Sequence, residues 1–211
     1  MALPHELPAR GPLTARALQF RFRGGRLCLD FVATAGGRIG YGILERLHQP
    51  EHLALWYQAA GLYPAPPQLQ DQDLREALEV RGAIYTLATA HPDRLLPRAA
   101  VRRINQAAQA SSSPVQLSPN RTHAHPAPAD AGAAALAVIA ADAVTLFGSD
   151  LAQHIRACDG KDCTLLFLDA SRPRNRRWCS TRACGNRANA AAARQRKQPR
   201  EDSRDRVQVV Q

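Results

Sequence analysis

The stretch Cys158-Asp159-Gly160-Lys161-Asp162-Cys163, followed fifteen residues later by Cys179-Ser180-Thr181-Arg182-Ala183-Cys184 and then Gly185-Asn186-Arg187, decides the fold of the C-terminal part of the chain. Four of the five cysteines fall in two C-x4-C pairs. Two short knuckles about fifteen residues apart supply what a tetrahedral metal needs: two ligands from each of two tight turns. Cys158, Cys163, Cys179 and Cys184 are therefore read as ligands of one zinc ion per chain. Four thiolates close the shell and leave no place for water, so the expected role is structural rather than catalytic.

Composition sets the frame. The chain has 211 residues, 45% of them hydrophobic and only 5% aromatic, with abundant alanine that favours closely packed helices. No run approaches eighteen apolar residues, so no transmembrane helix is expected. The opening MALPHELPARGPLTARALQF has no apolar h-region, and a cytoplasmic protein without a membrane partner is expected. In that compartment paired cysteines read as metal ligands before disulfides.

The charge is uneven. From Arg156 to Gln211 there are fourteen Lys and Arg against six Asp and Glu, so this part carries +8 of the net +10. A basic concentration of this kind points to a polyanion, with DNA first and RNA or an acidic protein as alternatives. A solvated basic tail is the plain counter-reading.

Along the chain, residues 1–17 are expected to be loose and residues 18–149 to form an alanine-rich helical domain. Phe20 to Leu29, with Gly24-Gly25 in the middle, has the form of a hairpin, and Leu29 to Val32 leads into a glycine loop at Gly36-Gly37. Helices are expected from Pro50 to Gly61 (burying Leu53, Trp56, Tyr57 and Ala60), from near Asp71 (Leu74, Leu78, Ile84, Tyr85 and Leu87) and from Pro97 (Val101, Ile104 and Ala108). A second small hairpin fits Val115–Leu117 and Thr122–His125. An alanine-rich helix then runs from Asp130 to Gly148, burying Leu136, Ile139, Ala143, Leu146 and Phe147. Residues 150–198 form the cysteine module and 199–211 a disordered tail. The fold class is mainly α with small β-hairpins, α+β.

Within the module, Ile155–Ala157 and Thr164–Asp169 read as strands, and Gly160 as the residue that lets the first knuckle turn. From Asn186 to Lys197 helix propensity is unbroken. A knuckle, a hairpin and a last ligand at a helix start make a treble-clef-like finger, whose helix N-terminus favours the anionic cluster. Arg172, Arg174, Arg176 and Arg177 gather before the second knuckle, and Arg187, Arg194, Arg196 and Lys197 lie on the helix. Arginine forks suit phosphate oxygens and guanine edges. Asn186 and Asn189 suit adenine edges if the helix enters a major groove. Asn186 and Arg187 equally suit bracing of the knuckles, and Trp178 reads as cover over the metal.

The stretch CDGKDCTLLFLDASRPRNRRWCSTRACGNR with its Arg-rich helix resembles the CGNR zinc finger. GGRLCLDFVATAG, ERLHQPEHLALWYQAAGL and the long alanine-rich helix resemble the ABATE domain that accompanies this finger in bacterial proteins. Together the resemblance covers nearly residues 18 to 198. It implies a stress-linked transcription regulator whose finger binds zinc and DNA. On it the four cysteines are ligands, and Asp169, Ser171, Arg177, Trp178, Asn186 and Arg187 are the accompanying motif positions. This chain departs from the family at Ala33, where Asn is usual, and at Asn189, where a basic residue is usual.

Other positions carry less. Cys28, between Leu27 and Leu29, reads as a small core residue. His123 and His125 lack a third ligand nearby, and His48 and His52 lack the Glu of a zinc-protease motif. The deaminase pattern is absent, as are a phosphate loop and a nucleophile elbow, and Asp30 and Glu45 show no partner spacing. The expectation is a non-enzymatic zinc protein that binds DNA, with the helical part sensing a ligand or forming a homodimer. The alternative is a protein-interaction or RNA-binding module in which the zinc is a staple.

Overall fold

The protein is described here by a computed structural model covering residues 19–36, 44–91, 94–109, 116–117, 123–124, 130–161 and 163–197. The segments 1–17 and 199–211, expected to be loose, lie outside the described residues, as do Gly37 and His125. The architecture is helical with two small antiparallel sheets among those residues. In chain order it comprises α1 (Leu27–Val32), α2 (Pro50–Ala59), α3 (Asp71–Ala88), α4 (Arg98–Gln109), β1 (Gln116–Leu117), β2 (His123–Ala124), α5 (Ala131–Phe147), β3 (Ile155–Ala157), β4 (Leu166–Leu168) and α6 (Asn186–Lys197). Helices α3, α4 and α5 pack on one another, and α1 sits against α3 and α5.

The hairpin expected across residues 20–29 does not form; Leu27 opens a helix instead. Burial of Cys28, Leu29, Phe31 and Val32 follows the helical period rather than the alternation of a strand. Carboxylates complete the turn. Asp142 of α5 accepts the Cys28 N–H at 2.9 Å and pairs with the Arg26 guanidinium at 2.7 Å. Asp30 accepts the Gly24 N–H at 2.6 Å. A Cβ on Gly24 would stand 2.7 Å from the Leu29 Cβ, so the close approach requires glycine here. Cys28 is a core residue with no exposure, as its apolar neighbours suggest.

The remaining helices match their sequence signals with local differences. Pro50 starts α2, where its missing N–H costs nothing. Gly61 follows its end at φ 77°. Leu53, Trp56 and Tyr57 are buried and Ala60 is partly so. In α3, Leu74, Ile84 and Leu87 are buried, Leu78 is partly so, and Tyr85 is 42% exposed. The core face of α3 runs instead through Ala77, Val80, Arg81 and Ala83. Helix α4 buries Ile104 with Ala100 and Ala107, while Val101 and Ala108 are partly buried. Asp130 caps α5 by accepting the Ala133 N–H at 2.8 Å. Buried Ala135, Ala140 and Ala143 supply the small surface at which helices approach closely. The second hairpin forms, with Gln116 opposite Ala124 and Leu117 opposite His123.

A buried polar network ties the loop before α2 to α3. Both guanidinium ends of Arg81 hold the Glu45 carboxylate, and Arg81 Nη1 also donates to Thr34 Oγ1 at 2.9 Å. Glu45 accepts the N–H groups of Arg46 and Leu47, each at 2.9 Å. Burial pushes the Glu45 carboxyl upward, but Arg81 and these N–H groups outweigh it and hold it below the usual value. No sequence spacing announces this pair, because its members lie 36 residues apart.

The module is not packed apart from the body. Strands β3 and β4 pair antiparallel with Ile155 opposite Leu168 and Ala157 opposite Leu166. Leu166 and Leu168 enter the helical core, whereas Leu165 and Phe167 pack on the cysteines. The Leu168 N–H donates to the Gly24 carbonyl at 2.8 Å. Between α5 and β3, Ser149 caps a 3-10 turn over Asp150–His154. Among the described residues no helix is long and apolar enough to cross a membrane.

Glu45→Gln is expected to cost about 2–3 kcal/mol, since it leaves Arg81 without its counter-charge. A carboxyl with a depressed native pKa stabilises above its unfolded value of about 4.3, and that stability is lost as pH falls. Urea titrations from pH 7 to pH 3 should therefore show a shallower acid loss in the variant. Identical acid limbs would remove Glu45 from the account.

Candidate metal centre

Each knuckle is shaped by its own backbone. In the first, the Cys158 N–H donates to the Leu165 carbonyl at 3.0 Å and the Cys163 N–H to the Gly160 carbonyl at 2.8 Å. Gly160 is needed for room, as expected of a turn without a Cβ clash, and not for a left-handed φ. Space is its contribution: a Cβ there would lie 3.1 Å from the Cys163 Cβ and 3.3 Å from the Cys184 Sγ. In the second knuckle, Ser180 Oγ accepts the Ala183 N–H at 3.2 Å and starts a π-turn over Thr181–Gly185. That turn delivers Cys184 directly into α6.

The four Sγ atoms lie within 4.8 Å of one another, and all four cysteines are buried. Cys163 and Cys179 are 3.9 Å apart at sulfur, and Cys179 and Cys184 are 3.8 Å apart. A tetrahedron with zinc–sulfur bonds of about 2.3 Å has edges of about 3.8 Å, so the quartet fits the ion. Hydrogen bonding from Cys179 draws the Cys163 thiol below its usual value, the direction that favours a thiolate ligand. Burial pushes Cys158 the other way. Two donors meet the sulfurs: the Cys179 N–H reaches Cys158 Sγ and an Arg187 guanidinium nitrogen reaches Cys184 Sγ, both at 3.3 Å. A second donor of Arg187 holds the Ala183 carbonyl at 3.0 Å.

The basic residues divide into two sets. Arg176 lies over the Phe167 ring, with 5.0 Å from guanidinium carbon to centroid, and donates to the Cys179 carbonyl at 2.9 Å. Arg177 pairs with Asp159 at 2.8 Å and lies over Trp178. Arg174, at φ 47°, contacts His154. With Arg187, these arginines are spent on the finger itself. Arg172, Arg194 and Arg196 are exposed and have no acidic partner among the described residues. Lys197 is the last residue of α6. Arg182, which the sequence reading passed over, is exposed on the π-turn; its position between the second pair of cysteines was the available signal.

The motif positions have distinct tasks. Asp169 is buried and accepts from Ser171 Oγ at 2.6 Å, Ser171 N–H at 3.0 Å and Arg176 N–H at 2.8 Å. Burial opposes its ionisation, yet these hydrogen bonds hold its carboxyl below the usual range. It thereby folds the loop that carries the arginines. Trp178 is half-buried on the cysteine cluster, and a Cβ on Gly185 would come within 3.3 Å of its ring. Asn186 is exposed at the start of α6 with no side-chain bond among the described residues, so Arg187 rather than Asn186 braces the cluster. The His48 backbone N–H donates to His52 Nδ1 and the His48 ring bonds the Glu45 carbonyl, so the two rings do not gather as ligands.

This is a helical body joined to a closed four-cysteine zinc finger, with one ion per chain. The ABATE family model, described as "Putative stress-induced transcription regulator", matches residues 25–150, and the chain belongs to that family. The CGNR zinc finger model matches residues 154–197 and so contains all four cysteines. None of the curated proteins searched matches the chain.

Elemental analysis of protein purified without chelator should give one zinc per chain. Cys184→Ser should abolish stoichiometric zinc, and Arg187→Ala should keep it but release it faster to a chelator, by about tenfold. Equal release from Arg187→Ala and the parent protein would deny that arginine its bracing role.

Proposed function

We propose that the protein is a DNA-binding regulator in which zinc holds the finger rigid while exposed arginines meet phosphate. One observation carries this reading. Helix α6 packs chiefly on the π-turn before it and presents Arg194 and Arg196 to solvent without acidic partners among the described residues. Twelve residues give a helix about 18 Å long, enough to lie in a major groove. Arg172 and Arg182 extend the same unspent charge beside the second knuckle. Asn186 and Asn189, exposed on α6, are available to base edges.

The closed tetrathiolate shell offers a substrate no coordination site, which supports a non-enzymatic role for the metal. The family description supports a regulatory role for the whole. The helical body is then the part that senses or pairs.

With about four phosphates contacted, log K for a DNA duplex should fall with log salt at a slope near −4. Arg194→Ala with Arg196→Ala should weaken binding to all sequences and reduce that slope by about 2, with zinc retained. A duplex affinity that is absent, or indifferent to salt, removes the reading. Tighter, salt-sensitive binding to RNA or to an acidic peptide would replace DNA as the partner.

A further inference from the structure

A cleft of about 720 Å³ lies between residues 19–23 and the second knuckle. Arg21, Arg23, Arg182 and Arg187 line it, and no carboxylate is among its described lining residues. Cys163, Cys179 and Cys184 form part of its wall. The two sides of the cleft are distant in sequence and are brought together where β4 packs against α1 and Leu168 N–H donates to the Gly24 carbonyl.

The arginines first have to be weighed against the cluster beside them. Zinc held by four thiolates keeps a charge of about −2. Arg187 answers part of it by donating to Cys184 Sγ. Arg21, Arg23 and Arg182 make no bond to a sulfur and have no acidic partner among the described residues. Arg21, Arg23 and Arg182 are therefore left with positive charge that no described carboxylate answers, in a recess where screening is weaker than on an open surface. Within electrostatic reach of Arg21 is Arg46, 1% exposed, whose Nη1 donates to the Gly36 carbonyl at 2.9 Å while its Nε has no hydrogen-bond partner among the described residues. Burial and then repulsion from Arg21 pull its guanidinium down to about 10. This buried charge adds to the field that Arg21 feels.

Three guanidinium forks around one recess match tetrahedral anions with several oxygens better than a single planar carboxylate. We propose that this cleft is a phosphate-binding site, built half from the finger and half from residues 19–23, which lie outside both family regions. If the DNA reading holds, the cleft receives the phosphodiester backbone and brings the N-terminal segment into the interface. If it fails, the same chemistry suits a free phosphorylated small molecule.

The test uses the zinc-loaded full chain with two probes, inorganic tripolyphosphate and a random-sequence duplex. Arg21→Ala with Arg23→Ala should weaken tripolyphosphate binding about tenfold or more. Arg21→Lys with Arg23→Lys should recover part of the loss, and zinc content should stay at one per chain. The exposed Arg182→Glu, remote from the body's core, should weaken the same probe and guards against misfolding in the first variant. Loss of duplex affinity in parallel, with the salt slope reduced by about 2, assigns the cleft to nucleic acid. Loss of tripolyphosphate binding alone assigns it to a free phosphorylated ligand. No effect on either probe overturns the site. Zinc loss accompanying the binding loss also overturns it, because the arginines would then serve only to neutralise the cluster.

Discussion

Strand β4 serves two cores at once. Its period of two sends Leu166 and Leu168 into the helical body, and Phe167, with the preceding Leu165, onto the cysteines. A shift of one residue in its pairing with β3 would exchange these sets and place the sulfur-covering side chains in the body. The Leu168 N–H held by the Gly24 carbonyl fixes this register from the other side. Knuckle geometry, helix packing and the recess between them all depend on that one alternation. The family regions meet between residues 150 and 154, but the packed core does not divide there.

The charge of the finger is best read by position rather than by count. A tetrathiolate site is anionic, and a chain that wraps one must supply local positive groups and N–H donors or lose affinity for the metal. Arg187 and the Cys179 N–H meet the sulfurs directly. Arg176 and Arg177 are laid over Phe167 and Trp178, whose rings draw on their charge. Much of the basic character that suggests a polyanion is therefore consumed in making the finger. What remains for a partner is set by the few arginines that have no such task.

Much of this was legible in the sequence, for definable reasons. Cysteine spacing carries the metal centre because ligand geometry is local, and the α6 helix follows from a run with no breaker between Asn186 and Lys197. The helices of the body are marked by their apolar period and by Pro50, Asp130 and Gly61 at their ends. The hairpin expected around Gly24-Gly25 failed for a non-local reason. Asp142, 114 residues from Cys28, supplies the acceptor that stabilises a helix start there. The Glu45–Arg81 pair was hidden likewise by sequence distance. Tyr85 was misplaced because a long helix offers two neighbouring apolar stripes, and only packing chooses between them. Gly160 was legible as a position with no room for a Cβ, and what fills that room is the Cys163 and Cys184 side chains.

The shared strand also gives the metal a reach beyond its own ligands. Binding of an ion to a site that exists only in the folded state contributes to folding free energy, and the contribution extends to whatever unfolds with that site. Here β4 cannot leave the cysteines without also withdrawing Leu166 and Leu168 from the core that α1, α3 and α5 share. Coupling of this kind is reciprocal: a change in body packing that moves β4 alters the sulfur geometry as much as metal occupancy alters the body. A helical body and a metal-bound finger that share one strand are mechanically joined. A strand with one face in each core is such a joint, because its two faces cannot move independently.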